Sequence, residues 1–435
     1  MKRVVVIGGG VIGITSAVAL ARRGHQVTLL ERLEQPGSGA SARNGGQLSY
    51  AYADALAAPG IIGDIPRLLA GLDPAFRIRI RLNPAFLGWM MNFLANCSTH
   101  RFESNTRAVL NLALLSQTAL ASIRAEYPEL SFQHGSTGKM HIFVDATKWK
   151  AAVLVVQKKA GWGVVQQVLS PSEAIALEPA LANTTRPFIC AIYTASDEAG
   201  DAQLFARAMA AIAVQKYGVS IHTETTATGF DSDGRVVRAV LSNRGAISGD
   251  VFVVAAGSDA ANLARTVGVN LPILPMKGYS ITLPATSHSP AVSVTDTAAK
   301  IVFCRLGDTM RIAGMAELGY ADTAVDSRKI GELIAAARRC LPMAADWGAN
   351  PGAWAGLRPM TPDSRPIIGN TALSNLLLNC GHGMLGWTLA CGSAELVAAA
   401  VAGEQVPMAG EFQLGRFSRL SGRSRILATT RTMSR

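Results

Sequence analysis

The side chains best suited to chemistry sit in the C-terminal fifth of the chain. "GHGMLGWTLACGS" (381–393) sets His382, Thr388, Cys391 and Ser393 among glycines. Such a stretch suits a general base, a nucleophile or a loop that holds a ligand, and its composition does not choose between them. Upstream, "GLRPMTPDS" carries Arg358, whose backbone is pushed extended by Pro359. A guanidinium is the best planar partner for a carboxylate. Arg358 can therefore capture an acid group, cap carbonyls or pair with Asp363. Tyr52 in "YAYAD" and Tyr279 in "KGYS" are further candidates to line a substrate pocket.

Elements at the N-terminus must position these groups. "RVVVIGGGVIGITSAVALARRGHQVTLLER" reads as strand, tight turn, helix and strand. The β-branched run Val4 to Ile7 has no polar interruption, as in a parallel strand covered on both faces. Gly8-x-Gly10-x-x-Gly13 follows directly. The first glycine permits the turn, the second lets backbone approach a pyrophosphate, and the third lets helix and strand pack closely. The helix from Ile12 onward would offer N–H groups and a positive dipole end to phosphate. Glu31, 18 residues after Gly13, closes the second strand. A carboxylate there suits ribose hydroxyls and repels a 2′-phosphate. This order of elements implies a site for an ADP moiety, without deciding between NAD and FAD.

The middle of the chain alternates in character. Residues 72–149 are largely helical in pattern and end in a strand, "GKMHIFVD". "FICAIYTA", "LPMKGYSITLP" and "KIVFCRLGDTMRIAGMAE" read as further strands, suggesting an α+β unit. "DAQLFARAMAAIAVQKYGVSIHTET" and "GDVFVVAAGSDAANLA" read as a helix with a strand, and a buried strand with a small-residue turn. Near the end, "LLLNC" is a strand and "GHG" turns into a helix starting near Met384. Cys391 and Ser393 then fall inside that helix, facing the core.

Apolar residues are 49% and charged residues 16% of 435, a globular composition. Cysteines 97, 190, 304, 340, 380 and 391 form no C-x-x-C pair and no cluster with histidine. That disfavours a zinc centre or disulfide framework and fits a reducing compartment; no metal is expected. A net charge of +11 invites a polyanion, yet aromatics are only 6% and basic residues are scattered. Nucleic acid is therefore not the expected partner. No apolar run reaches the ~18 residues of a spanning helix without charge or clustered glycine. "MKRVVVIGGG" mimics a signal peptide, but its three glycines would break the required helix. The expected place is the cytoplasmic side, peripheral on the inner membrane, with the arginine-rich tail 416–435 as a contact for anionic lipid.

The loop after the acidic strand, "GSGASARNGGQLSYAYADALAAPG", adds the decisive pattern. With the glycine fingerprint, "GLRPMTPD" and "GHGMLGWT", it resembles the D-amino acid oxidase-like family of flavoproteins. Within that family it is most similar to the bacterial D-amino acid dehydrogenases of the small-subunit type, up to about residue 415. The resemblance implies FAD as cofactor and a fold that is α/β plus α+β. A Rossmann-like FAD-binding domain (1–60, 195–265 and 350–415) would combine with a discontinuous antiparallel-sheet substrate domain (61–194 and 266–349). Carried over residue by residue, the FAD site is Gly8, Gly10, Ile12, Gly13, Glu31, Arg32, Ser41, Asn44, Gly45, Gln47, Leu48, Ala227, Ala256, Gly257, Gly383, Met384, Gly386, Trp387 and Thr388. Arg358 would clamp the carboxylate of an amino acid substrate, with Tyr279, Tyr52 and His382 as its neighbours. The implied reaction is oxidative deamination of a D-amino acid to a 2-oxo acid and ammonia. Hydride would pass from the α-carbon to flavin N5 and electrons onward to a quinone-type acceptor. The alternative is a dehydrogenase or oxidase of a secondary amine, such as a hydroxy-D-proline, sarcosine or another N-substituted amino acid.

Overall fold

The computed structural model describes residues 1–417. Its first sheet has six strands, ordered Ile367–Asn370, Leu376–Cys380, Val251–Val254, Arg3–Ile7, Gln26–Leu30 and Ser220–His222. All pair in parallel except the edge strand Ile367–Asn370. The side-chain period of two divides the apolar strands between two cores. Val4, Val6, Val251 and Val253 face one that also contains the helices Val11–Arg22, Ala202–Tyr217 and Gly386–Ala402. Val5, Ile7, Phe252 and Val254 face the other, covered by a three-stranded antiparallel layer, residues 227–248. Because both faces are buried, these strands read as unbroken β-branched runs.

The second sheet has nine strands. Its order is Trp354–Met360, Leu274–Pro284, Thr309–Leu318, Ile301–Leu306, Ser293–Asp296, Lys139–Phe143, Cys190–Thr194 and Gln167–Leu169, with Phe76–Ile78 also paired to Thr309–Leu318. It is antiparallel apart from two parallel pairings, Ser293–Asp296 with Lys139–Phe143 and Thr309–Leu318 with Phe76–Ile78. The expected strand-rich unit is thus one continuous sheet.

Two segments lie elsewhere than their expected domains. Trp354–Met360, placed by sequence with the first sheet, is the edge strand of the second, with Met276 opposite Arg358. The helix Thr99–Glu126, placed with the substrate domain, packs its buried Val109, Leu112 and Ala113 into the core of the dinucleotide-type sheet. Gly392 makes that crossing possible, since a Cβ there would sit 2.8 Å from the Leu112 carbonyl oxygen. Helix amphipathicity marks a buried stripe but does not name the layer that buries it.

The expectation of no membrane-length apolar helix is corrected here. Thr99–Glu126 and Gly383–Ala402 are both long and apolar enough to cross a membrane by length and composition. In the latter, 72% of the apolar window is buried inside the molecule, and in the former 44%. They pack against one another. Small residues (Gly392, Ser393, Ala394) replace charge at the crossing, which is why the helix looks like a span by composition. Most of the arginine-rich tail lies outside the described residues. Its first arginine, Arg416, is bound within the fold, with Nε donating to Asp363 Oδ2 at 2.7 Å.

Candidate active site

A cavity of about 1320 Å³ lies between the two sheets. The first sheet supplies one end. Gly8 has φ +111°, and a Cβ there would lie 2.5 Å from the Ala255 carbonyl oxygen, so the turn after the first strand admits only glycine. A Cβ on Gly10 would meet no atom closer than Ser41 Oγ at 3.4 Å, so the approach to this backbone is open. Gly13 instead presses on the strand, where a Cβ would lie 1.7 Å from the Gly8 carbonyl oxygen. Glu31 is buried at the end of the second strand and accepts from Gly9 N at 2.6 Å and Leu33 N at 2.8 Å.

The serine-asparagine loop crosses the middle of the cavity and is pinned from every side. Val11 N donates to Ser41 Oγ at 3.0 Å, joining the loop to the start of the first helix. Ser280 Oγ donates to the Arg43 carbonyl and Arg311 Nη1 to the Asn44 carbonyl, joining it to the second sheet. Ser49 N donates to Thr388 Oγ1 at 3.0 Å, which joins it to the helix after "GHG".

The residues expected to hold FAD nearly all border this cavity: Gly8, Gly10, Ile12, Glu31, Arg32, Ser41, Asn44, Gly45, Gln47, Ala227, Ala256, Gly257, Gly383, Met384, Gly386, Trp387 and Thr388. Gly13 and Leu48 do not. Gly13 is consumed by helix–strand packing. Leu48 alternates with Gln47 along a two-residue strand, so its side chain enters the helical core. Gln47 Nε2 is buried without a protein partner, as is Asn379 Oδ1, and both residues border the cavity. Buried polar atoms are normally satisfied, so these two suit a ligand carrying complementary groups, as a flavin's polar edge does.

Arg358 occupies the far end, with its side chain reaching across the neighbouring strand. A Cβ on Gly278 would come within 2.4 Å of its Nη2, so this glycine supplies the space in which the guanidinium lies. Among the described residues Arg358 forms no ion pair. Its guanidinium instead donates from Nη1 to the Met315 carbonyl, 3.4 Å away. Asp363, weighed as its mate, is engaged by Arg365 and Arg416 instead. Burial pushes the guanidinium down to about 10, which leaves it charged at neutral pH.

The other substrate-pocket candidates divide. Tyr52 borders the cavity and stacks on His141, with ring centroids 3.5 Å apart. Tyr279 is one residue out of phase with Gly278, so its hydroxyl points away from Arg358 and donates to Glu317 Oε2 at 2.8 Å. Tyr279 nevertheless borders the cavity, next to the Gly278 that makes room for Arg358. His382 is buried, with Nε2 2.9 Å from Ser393 Oγ, and burial pushes its imidazole down to about 3. It is neutral at working pH, is held by Ser393 of the following helix, and borders the cavity. Burial raises the Cys391 thiol to about 12, which removes it as a nucleophile.

Sequence reading missed a buried charged group beneath Tyr52. Lys139 Nζ donates to Ser49 Oγ at 2.7 Å, and Lys159 Nζ donates to the Ala51 carbonyl at 2.9 Å and pairs with Asp54 at 2.7 Å. Both ammonium groups also lie over the Tyr52 ring. Burial lowers Lys139 to about 8. The alternation K-x-H in "GKMHIF" puts Lys139 and His141 on one face, but nothing local says that this face is a cavity wall.

A model of the DAO family, described as FAD dependent oxidoreductase, matches residues 3–400. The chain is 39% identical over 410 residues to D-amino acid dehydrogenase 2 of Ralstonia nicotianae, covering 92% of this chain and 96% of the relative. It is 40% identical over 405 residues to D-amino acid dehydrogenase of Paramagnetospirillum magneticum, covering 92% and 95%. Among solved structures it is similar to L-proline dehydrogenase from P. horikoshii, with a TM-score of 0.76, 21% identity and coverage of 96% and 98%. Glycine oxidase from Geobacillus kaustophilus gives a TM-score of 0.74, 22% identity and coverage of 96% and 98%. At these identities the structures establish the shared fold.

The glycine cradle yields a direct expectation. Gly10→Leu would fill the open approach to the backbone, so the variant should fold but purify without the yellow flavin absorbance of the parent. Absorbance at equal protein concentration, with circular dichroism to confirm folding, checks this. Full flavin content in the variant would move the pyrophosphate away from Gly10.

Proposed function

The chain belongs to the DAO family of FAD dependent oxidoreductases, and we propose that it is a dehydrogenase that deaminates D-amino acids to 2-oxo acids and ammonia. The observation that carries the reading is one cavity with a dinucleotide-type cradle at one end and, at the other, a half-buried guanidinium without an ion pair among the described residues. A carboxylate is the natural complement of that guanidinium, and planar bidentate pairing would fix the substrate's α-carbon relative to the cofactor. FAD, when bound, supplies the acceptor for the two electrons and the hydrogen that leave the α-carbon. Gly10 and the first turn of the following helix would hold its pyrophosphate, and Gln47 and the Gly383–Thr388 segment its flavin end.

The protein's own contribution is placement and field. Arg358 holds the carboxylate, Gly278 leaves room for the guanidinium, and the pinned loop keeps Tyr52 against the cavity. Loss of the amine proton together with the α-hydrogen leaves an imine, which water converts to the 2-oxo acid and ammonia. The substrate amine can release its proton to solvent before reaction, so no protein base is required. His382 cannot supply one at neutral pH, and Tyr52 is held above the ordinary phenol value by burial. The acceptor for the electrons is proposed to be a quinone, reached at an anionic membrane on the cytoplasmic side. Secondary amines such as hydroxy-D-proline or sarcosine are the competing substrates.

A screen of D-, L- and N-methyl amino acids with a dye acceptor tests the substrate. Activity confined to primary D-amino acids is expected, with slow reoxidation by oxygen and fast reduction of soluble quinones. Stoichiometric hydrogen peroxide at full turnover would make the protein an oxidase.

Arg358→Lys keeps charge but loses the planar fork. It should retain FAD and lose about tenfold or more in kcat/KM, corresponding to ~1.4 kcal/mol or more of carboxylate recognition. Unchanged kinetics would assign the carboxylate to another residue.

The pH profile separates substrate from protein bases. Without a protein base, kcat/KM should rise with pH along the amine pKa of each substrate and move when that substrate is changed. A rise fixed near pH 8 for every substrate would instead identify Lys139, which is neutral above that value and could then accept a proton.

A further inference from the structure

We propose that residues 61–94 form the face on which this protein docks to an anionic lipid bilayer. Two helices, Ile61–Leu69 and Pro84–Asn96, flank the strand Phe76–Ile78. All three elements share one inner cluster: Ile61, Phe76, Ile78, Trp89 and Phe93 pack with Met276, Leu318 and Met360 of the second sheet. A common underside sets their outer sides next to one another on the surface.

Those outer sides are apolar. Ile62 is 52% exposed, Leu69 47%, Leu82 89%, Leu87 45%, Met91 67% and Leu94 41%. Leu87, Met91 and Leu94 recur at helical spacing and form one stripe, while Phe86, Trp89 and Phe93 of the same helix are buried. This helix has no charged residue, so it is apolar all round and yet covered on one side only. Single exposed leucines are ordinary in proteins; a contiguous apolar face marks a surface that meets another phase or partner.

Charge selects the partner. Arg67, Arg79 and Arg81 are exposed within the same segment. Arg79 lies over the Tyr320 ring and Arg81 Nε donates to the Gly319 carbonyl, so both are anchored beside the apolar face. Of the two acids in the segment, Asp73 is paired with Lys300 at 2.6 Å, and Asp64 is exposed but outnumbered by the three exposed arginines. Leucine and methionine rimmed by arginine match the acyl boundary and anionic head groups of a bilayer. A two-fold contact with a second copy would set the same arginines against each other.

The face also adjoins the active cavity, because Ile61, Leu68, Ala75 and Phe76 form part of its wall. On the reading above, an acceptor dissolved in the bilayer would then meet the protein on its reactive side. The docking itself stands on the surface and not on that reading.

The test uses full-length protein loaded with FAD. Sedimentation would be compared with vesicles of phosphatidylglycerol and phosphatidylcholine and with vesicles of phosphatidylcholine alone. Binding to the anionic vesicles is expected, weakening as salt rises. L87S/M91S/L94S and, separately, R79E/R81E should each lower the vesicle partition by about tenfold or more while dye-linked turnover is unchanged. If the leucine variant fails to fold, the arginine variant still decides. A chain ending at Phe417 should keep most of the binding. Binding lost on that truncation but retained in both surface variants would overturn the proposal in favour of the tail. Sedimentation equilibrium of a wild-type dimer that the leucine variant converts to monomer, with no vesicle binding by either, would overturn it in favour of self-association. Absence of dye-linked activity on any D-amino acid would refute the functional reading and leave the vesicle result to stand alone.

Discussion

Arg358 carries positive charge, half-buried in the cavity wall, and among the described residues it meets the carbonyl of Met315 at 3.4 Å and no carboxylate. Taking a guanidinium out of water without an opposite charge is costly, and proteins seldom accept it without a compensating ligand. Much of the surrounding architecture follows from keeping this group charged, reachable and unpaired. The strand that bears it lies at the edge of the nine-stranded sheet, and its guanidinium lies over Gly278 of the neighbouring strand, where any side chain would displace it. Asp363, five residues further along the chain, is bound by Arg365 and Arg416. The proposed substrate carboxylate would complete the ion pair of Arg358.

The second requirement is that this end of the cavity keep a constant distance from the dinucleotide cradle. The two lie on different sheets, and the 41–54 loop bridges them. Its hydrogen bonds run to the first helix at Ser41, to the second sheet at Arg43 and Asn44, and to the Gly386–Ala402 helix at Ser49. Two buried lysines and the Tyr52–His141 stack hold its far end. Such a buried polar network favours a unique arrangement when its members are satisfied, and it costs stability when one is removed. The isolated bridge between Met360 and His382 adds a direct tie between the strand of Arg358 and the turn that precedes the Gly386–Ala402 helix.

The same construction explains why the chain looks ambiguous toward membranes. Its most apolar helices are core helices, Gly383–Ala402 above all, while exposed apolar side chains are concentrated in the shorter elements of residues 61–94. Hydrophobicity summed along a segment measures the first and overlooks the second, because exposure depends on which neighbours cover a helix.

Local pattern carried a great deal of this fold. The glycine turn, the β-branched strand, the acid at residue 31 and the strand–turn–helix at 376–402 all depend on steric rules that act within a few residues, and they were legible without coordinates. The positions of Gly8, Gly10 and Glu31 at a cavity followed from them. What only tertiary structure decided was pairing across long separations. The sheet that receives Trp354–Met360, the layer that buries Thr99–Glu126, and the face to which Tyr279 and Leu48 turn are set by partners far away in sequence. The same holds for Gly278, whose importance arises from a guanidinium eighty residues later in the chain. Backbone sterics act between neighbours and so are written in short motifs; packing and register act between distant segments, and only the assembled sheets bring those segments together.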